Sequence, residues 1–212
     1  MPDRFRAFSP LQPASTRKGV TLAVLAGGLG SRMGHPKANI QVAGQPVLEY
    51  LIDRLAWPGP TLLVTAPGRQ HPPGFHRFDR EAIDPVSGQG PLRGLLTALE
   101  ACQTGLLVMA AVDMPNVTAE HLRWLAATLQ SLPDAVALLL QRTTPAGQQI
   151  EPFPSVFRSS AEKLIRQHLE SGQFSLHSLS KLSEFALVWA PTAWDEPTWV
   201  NLNSPQDLSD LP

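Results

Sequence analysis

The chain has 212 residues, 43% of them apolar and 17% charged, with a formal net charge of −1. That size suits one α/β domain with a substantial core, and the near-neutral balance offers no broad basic field for nucleic acid. No stretch reaches the ~20 consecutive apolar residues a membrane span requires, so an anionic ligand would have to be held by local cations.

Residues 1–19 contain Arg4, Arg6, Arg17 and Lys18 but no apolar run, which excludes a secretory signal. They are expected to form a flexible extension ahead of a single domain over residues 20–212. The lone cysteine, Cys102, excludes an internal disulfide framework and fits a reducing, cytoplasmic setting. It falls in an expected helix and reads as a buried spectator. The 21 prolines are about twice the usual ~5% share and mark stiffened connections, as in Ala66–Gly74.

Short apolar runs alternate with helical patterns along the chain. Strands are expected over Thr21–Ala26, Thr61–Ala66, Leu106–Val112, Ala135–Gln141 and Phe185–Trp189. The third is apolar without alternation, as a central parallel strand covered on both faces should be. Pro46 can open a helix whose Val47, Leu48, Leu51 and Leu55 share one face. Pro91–Leu99 and Thr118–Gln130 read as further helices, and Ser159 to Glu162 has capping-box spacing ahead of Leu164, Ile165 and Leu169. Thr143–Gln149 reads as an exposed loop. This βαβ rhythm implies a doubly wound, mainly parallel sheet with helices on both faces.

Directly after the first strand runs Leu25-Ala-Gly-Gly-Leu-Gly-Ser-Arg-Met-Gly-His-Pro-Lys37. Gly27, Gly28 and Gly30 leave room for backbone N–H groups near a ligand, and Arg32 and Lys37 add two cations, so the segment reads as a phosphate cradle. The NTPase phosphate loop requires Lys directly after its last Gly; here His35 and Pro36 intervene before Lys37. The dinucleotide fingerprint fails as well, because Met33 stands at its third glycine and Glu49 and Asp53 lie inside an expected helix. Asp113, at the end of the most apolar strand, has little structural reason to be there. A carboxylate facing a phosphate loop suits Mg²⁺, which takes one or two protein carboxylates and completes its shell with phosphates and water. The five histidines outside the loop show no zinc-site spacing.

These segments resemble the nucleotidyltransferases of sugar-nucleotide and molybdenum-cofactor synthesis, and within them the molybdenum cofactor guanylyltransferase, or MobA-like, branch. The resemblance rests on L-A-G-G-x-G-x-R-M-G-x-x-K, Gly44-Gln-Pro46, Asp84 followed by Gly90-Pro-Leu-Arg-Gly-Leu95, Asp113-Met-Pro115, Glu151-Pro152 with Phe157, and Asn201-Leu-Asn-Ser-Pro-Gln-Asp-Leu208. It implies a Rossmann-like nucleotidyltransferase fold and Mg²⁺-dependent transfer of GMP from GTP to a molybdopterin-type acceptor, with pyrophosphate released. It further implies that Leu25, Ala26 and Gly27 lie along base and ribose, that Gly28 and Gly30 admit the phosphates, and that Arg32, Lys37 and Asp113 are catalytic. Asp84 would contact ribose or base. Asn203 aligns with a second metal contact, the alternative being a turn-forming Asn. Arg93 is a candidate for an anionic acceptor, and Glu151 would either meet the acceptor or pair with Arg142.

Two departures from the family pattern bear on the base. The Asn usual after the second strand is missing from Leu63-Val-Thr-Ala-Pro-Gly68, so Thr65 or a neighbour would take that role, and the usual Asp before the loop lysine is Pro36. A cytidylyl or sugar-phosphate transferase is therefore the second reading. A catalytically silent nucleotide-binding partner in cofactor assembly is the third.

Overall fold

The computed structural model describes residues 17–28, 36–68, 70–203 and 207. Gly30, Arg32 and His35, singled out above, lie outside the described residues, as do residues 1–16 of the expected extension.

The chain forms β1 (Arg17–Leu25), the short hairpin β2 (Gln41–Val42) and β3 (Gln45–Pro46), α1 (Val47–Leu55), β4 (Thr61–Thr65), β5 (Arg80–Ile83), α2 (Gly90–Ala101) and β6 (Thr104–Ala111). There follow α3 (Ala119–Gln130), β7 (Ala137–Thr144), β8 (Gly147–Arg158), α4 (Ala161–Glu170) and β9 (Phe185–Trp189). Seven strands make one sheet in the order β5-β4-β1-β6-β8-β7-β9. Every pairing is parallel except those of β8, which runs against both β6 and β7. The expected mainly parallel α/β sheet is therefore what forms, with the carboxyl ends of all its strands but β8 on one edge. Among the described residues no helix is long and apolar enough to cross a membrane.

All five residues of β4 are buried, and Leu107 to Ala110 of β6 are fully so. Burial on alternate sides of a strand requires cover on both faces. α2 packs against β1, β4 and β5, α3 against β6, β7 and β8, and α4 against α2. α1 buries Val47, Leu48, Leu51, Ile52 and Leu55, the stripe its spacing marked.

Four details differ from expectation. β1 starts at Arg17, so residues 17–19, expected in the extension, are strand. Thr143–Gln149 is not a loop but the end of a hairpin, with Thr144 paired to Gly147 across the two-residue turn Pro145-Ala146. The Ser159 box does not form: α4 has no side-chain cap, the Glu162 N–H donates to the backbone Ser159 O, and its carboxylate turns to Arg166. α2 ends at Ala101, leaving Cys102 just past the helix and half-buried, with its Sγ near Thr104.

β8 also carries an irregularity that matters for function. Leu138 pairs with Val156 and Leu140 with Glu151, so two steps along β7 span five along β8. Between them Pro152 to Ser155 leave the β7 ladder, with Ser155 still paired to Met109 of β6, and the segment includes the cis Phe153–Pro154 bond. Proline cannot donate to a ladder, and such bulges re-aim side chains.

Candidate active site

A cleft of about 600 Å³ opens at the carboxyl edge of the sheet, over β1, β4 and β6. Backbone bonds continue past the strand ends and hold its floor: Ala26 N–H to Val64 O at 2.8 Å, Asp84 N–H to Thr65 O at 2.9 Å, and Val112 N–H to Leu25 O at 3.0 Å. After β5 the chain crosses over β4 and β1 to enter β6, so sheet order reverses beside β1. Open α/β sheets bind ligands at such a reversal. Gly27 and Gly28 line the cleft. A Cβ on Gly27 would stand 3.4 Å from Ala66 N, which shows how closely the segment after β1 runs along the one after β4.

Three sequence-distant side chains meet at one end. Lys37 Nζ lies 2.5 Å from Asp113 Oδ2 and 2.6 Å from Asn203 Oδ1. Asp113 follows β6 and Lys37 starts a single 3₁₀ turn. Asn203 is drawn in by two further bonds: Leu202 N–H donates to Asp113 O at 2.8 Å, and Asn203 N–H donates to Asp207 Oδ2 at 2.7 Å. A carboxylate oxygen and an amide oxygen converging on one cationic position form a hard-oxygen pair of the type Mg²⁺ prefers. The Lys37 ammonium stands in that position and shows that the two oxygens can share a cation. Asp113 and Asn203 would hold the metal, with phosphate oxygens and water completing its shell.

Leu25 and Asp84 line the other end. Asp84 Oδ1 is buried and has no hydrogen-bond partner among the described residues. Burial pushes the Asp84 carboxyl above its usual range, against the Thr97 hydroxyl bond and the Arg93 charge, which pull it down. A buried acceptor without a donor has a ligand-shaped deficit. Gly94 of α2 permits the approach: its Cβ would meet Leu25 Cδ2 at 3.0 Å and Asp84 Oδ2 at 3.7 Å.

Other expected site residues lie elsewhere. Ala26 is buried in the floor and Thr65 is absent from the lining, whereas Val64, Ala66 and Pro67 are present. The Thr65 hydroxyl donates to Glu81 Oε1 at 2.7 Å, and Glu81 Oε2 meets His71 Nδ1 at 2.6 Å. Arg93 turns from the cleft to Glu100 (2.9 Å) and Thr97 (3.3 Å). Glu151 pairs with Arg142 at 2.6 Å; the same guanidinium reaches Glu196 and stacks over Trp199. The sequence reading missed Pro152, Phe153 and Asn201 in the lining. Two prolines flanking Phe153 inside an apolar run were the available signal, since they mark a bulge rather than a regular strand.

The sheet order and the cleft at its reversal define a Rossmann-like α/β protein with a ligand site at its switch point. Within that class the chain belongs to the MobA-like NTP transferase family, whose domain model matches residues 22–184. It is 30% identical over 193 residues to a probable molybdenum cofactor guanylyltransferase of Deinococcus radiodurans, covering 91% of this chain and 93% of that one. A probable molybdenum cofactor guanylyltransferase of Peptoclostridium acidaminophilum is 28% identical over 193 residues, covering 87% and 85%. Among solved structures, the molybdopterin-guanine dinucleotide biosynthesis protein A of Archaeoglobus fulgidus superposes with a TM-score of 0.73 at 25% identity, covering 90% and 95%. The 2-C-methyl-D-erythritol 4-phosphate cytidylyltransferase of Thermus thermophilus shares the fold, with a TM-score of 0.63 at 19% identity, covering 90% and 95%. The chain is thus an enzyme of the nucleotidyltransferase class, related to proteins of molybdenum cofactor biosynthesis.

Proposed function

We propose that this enzyme transfers GMP from GTP to the terminal phosphate of a molybdopterin-type acceptor, with Mg²⁺, in the cytoplasm. The observation that carries the transfer chemistry is the convergence of Lys37, Asp113 and Asn203 beside the Gly27-Gly28 segment. The guanylyl and molybdopterin assignments are supported by the names of the relatives.

An acceptor phosphate oxygen attacks the α-phosphorus in line; that P–O bond forms as the bond to the β-phosphate oxygen breaks, and pyrophosphate leaves. A phosphate monoester has its second pKa at about 6 and is mostly dianionic at pH 7. No general base is needed, and positioning with charge neutralisation supplies the catalysis. Leu25, Ala26 and Gly27 flank base and ribose, largely through backbone. Gly28 and Gly30 admit the phosphates, Lys37 and Arg32 neutralise the departing pyrophosphate, and the unpartnered Asp84 oxygen accepts a hydrogen bond from the nucleoside. A bound Mg²⁺ would add Lewis-acid neutralisation of the phosphate oxygens. Phe153 and Pro152 shield the acceptor side from water. The protein's other contacts would be brief ones, with cofactor-synthesis or cofactor-receiving enzymes.

The test is a panel of α-labelled triphosphates with molybdopterin, reading label in the product and pyrophosphate release. GTP is the expected donor, and Asp113→Asn should lose on the order of 10²-fold in rate. The absence of Asn from Thr65-Ala-Pro-Gly68 favours cytidylyl transfer as the second reading. Incorporation from CTP alone would establish it and sink the first.

A further inference from the structure

Lys37 has two places to be. The first is between Asp113 Oδ2 and Asn203 Oδ1, at 2.5 and 2.6 Å. Its side chain is 17% exposed there and that of Asp113 19%, so the contact is largely shielded from water. The second follows from its stem, which runs beside Gly28: a Cβ at Gly28 would lie 3.8 Å from Lys37 Cδ. With Cδ this close to Gly28, rotation about the outer side-chain bonds would turn the ammonium from the two oxygens toward the Gly28 side of the cleft. That side is where the triphosphate would lie.

A divalent cation and the ammonium cannot share the first place. Both are cations, both need the same two oxygens, and Mg²⁺ closes to about 2.0–2.1 Å of its ligands. Without an anion above Gly28, the displaced ammonium would lose both partners and gain no acceptor side chain named among the described residues. With a triphosphate present, it gains phosphate oxygens, and the same phosphates complete the metal shell.

We propose that Lys37 is the resident cation of the metal position. It holds Asp113 and Asn203 together in the nucleotide-free enzyme and yields to a divalent cation when a triphosphate arrives to receive its charge. Lys37 is then a positioning residue before it is a neutralising one, and metal and nucleotide bind cooperatively. Linkage makes the coupling reciprocal: the factor by which nucleotide tightens metal equals that by which metal tightens nucleotide. This inference rests on the reading of the cleft as a metal–triphosphate site.

The test measures Mn²⁺ binding to the full chain without nucleotide, by the electron paramagnetic resonance signal of free Mn²⁺. Lys37→Met removes the competitor and should tighten Mn²⁺ by about tenfold, or about 1.4 kcal/mol. Adding Asp113→Asn to it should abolish that gain. A second measurement uses the unaltered protein without nucleotide: amine acylation of Lys37, followed by mass spectrometry, should accelerate several-fold once Mn²⁺ is raised high enough to fill the site and expel the ammonium to solvent. Unchanged or weaker Mn²⁺ binding in Lys37→Met, or acylation indifferent to Mn²⁺, overturns the exchange. If Asp113→Asn still weakens Mn²⁺ binding in the presence of GTP, the reading of the site survives that failure. Mn²⁺ bound by no form, with or without GTP, overturns both.

Discussion

Replacing Asp84 by Asn should stabilise the protein while weakening nucleotide binding. Oδ1 of Asp84 is buried with no hydrogen-bond partner among the described residues, and burial raises the carboxyl pKa above its ordinary 3.8. A buried polar group left unpaired costs about 1–3 kcal/mol, and more when charged. The Thr97 hydroxyl and the Arg93 charge offset part of that, so the net gain from a neutral amide is about 1 kcal/mol at pH 7. In a domain of this size that raises Tm by roughly 2–4 °C. The pH dependence fixes the cause. An acid with a raised pKa in the folded state binds more protons folded than unfolded, so its contribution to stability is complete below 3.8 and is lost as pH rises through the folded value. The gap between Asp84→Asn and the parent should therefore vanish in acid, open through that window and stay flat above it. The assay is urea unfolding from pH 3.5 to 8, paired with the Tm shift on adding GTP, which should shrink in the variant. An Asn variant less stable at pH 7, or a gap constant with pH, refutes the reasoning.

Thr65→Val separates a structural role from a base-reading one. It strips Glu81 of its 2.7 Å donor and should cost about 1 kcal/mol in urea unfolding, with the GTP-to-CTP ratio of kcat/KM unchanged; a shifted ratio would return Thr65 to the base. Arg142→Met leaves Glu151, whose side chain is 7% exposed, without its cation, at a cost of about 3 kcal/mol. Arg142→Met combined with Glu151→Gln should recover most of that, as a double-mutant cycle would show. Gly94→Ala gains about 1 kcal/mol of helix propensity but presses Leu25 Cδ2, 3.0 Å from the new methyl. Its Tm should stay within about 3 °C of the parent while KM for nucleotide rises and kcat holds.

The central sheet was legible because its strands are short apolar runs and its helices carry one apolar face. What escaped was what periodicity does not encode. β5 reads Arg80-Glu-Ala-Ile, too charged for an apolar-run criterion; it is an edge strand, which can tolerate such charge. β8 was hidden by its prolines and by polar Gln148 and Gln149, which looked like loop and are the exposed end of a hairpin. In the cleft, Asp113 could be singled out from sequence because a charge ended an apolar run. Its neighbour Asn203 came only from resemblance, since its place depends on Leu202 N–H finding Asp113 O. The Thr65–Glu81–His71 chain had no sequence signal at all, because its three members come from β4, β5 and the connection between them.

That last chain bears on how the enzyme separates chemistry from choice of base. At the end proposed for the phosphates, the groups brought together among the described residues are side chains: Lys37, Asp113 and Asn203, tied to one another. Along the β4 side of the cleft, side-chain donors are scarce. Thr65 is committed to Glu81, Arg93 to Glu100 and Thr97, and the β4 wall is Val64, Ala66 and Pro67. If the nucleoside lies along that wall as proposed, its recognition there would fall to backbone N–H and C=O groups, and backbone groups read a base only through the path of the loop that carries them. Glu81 bonds Thr65 at the end of β4 and His71 in the connection beyond it. Base preference in this enzyme should therefore change with the length of the connection after Thr65 and resist exchange of its side chains, whereas the rate of transfer should fall on exchange of the Lys37 or Asp113 side chain.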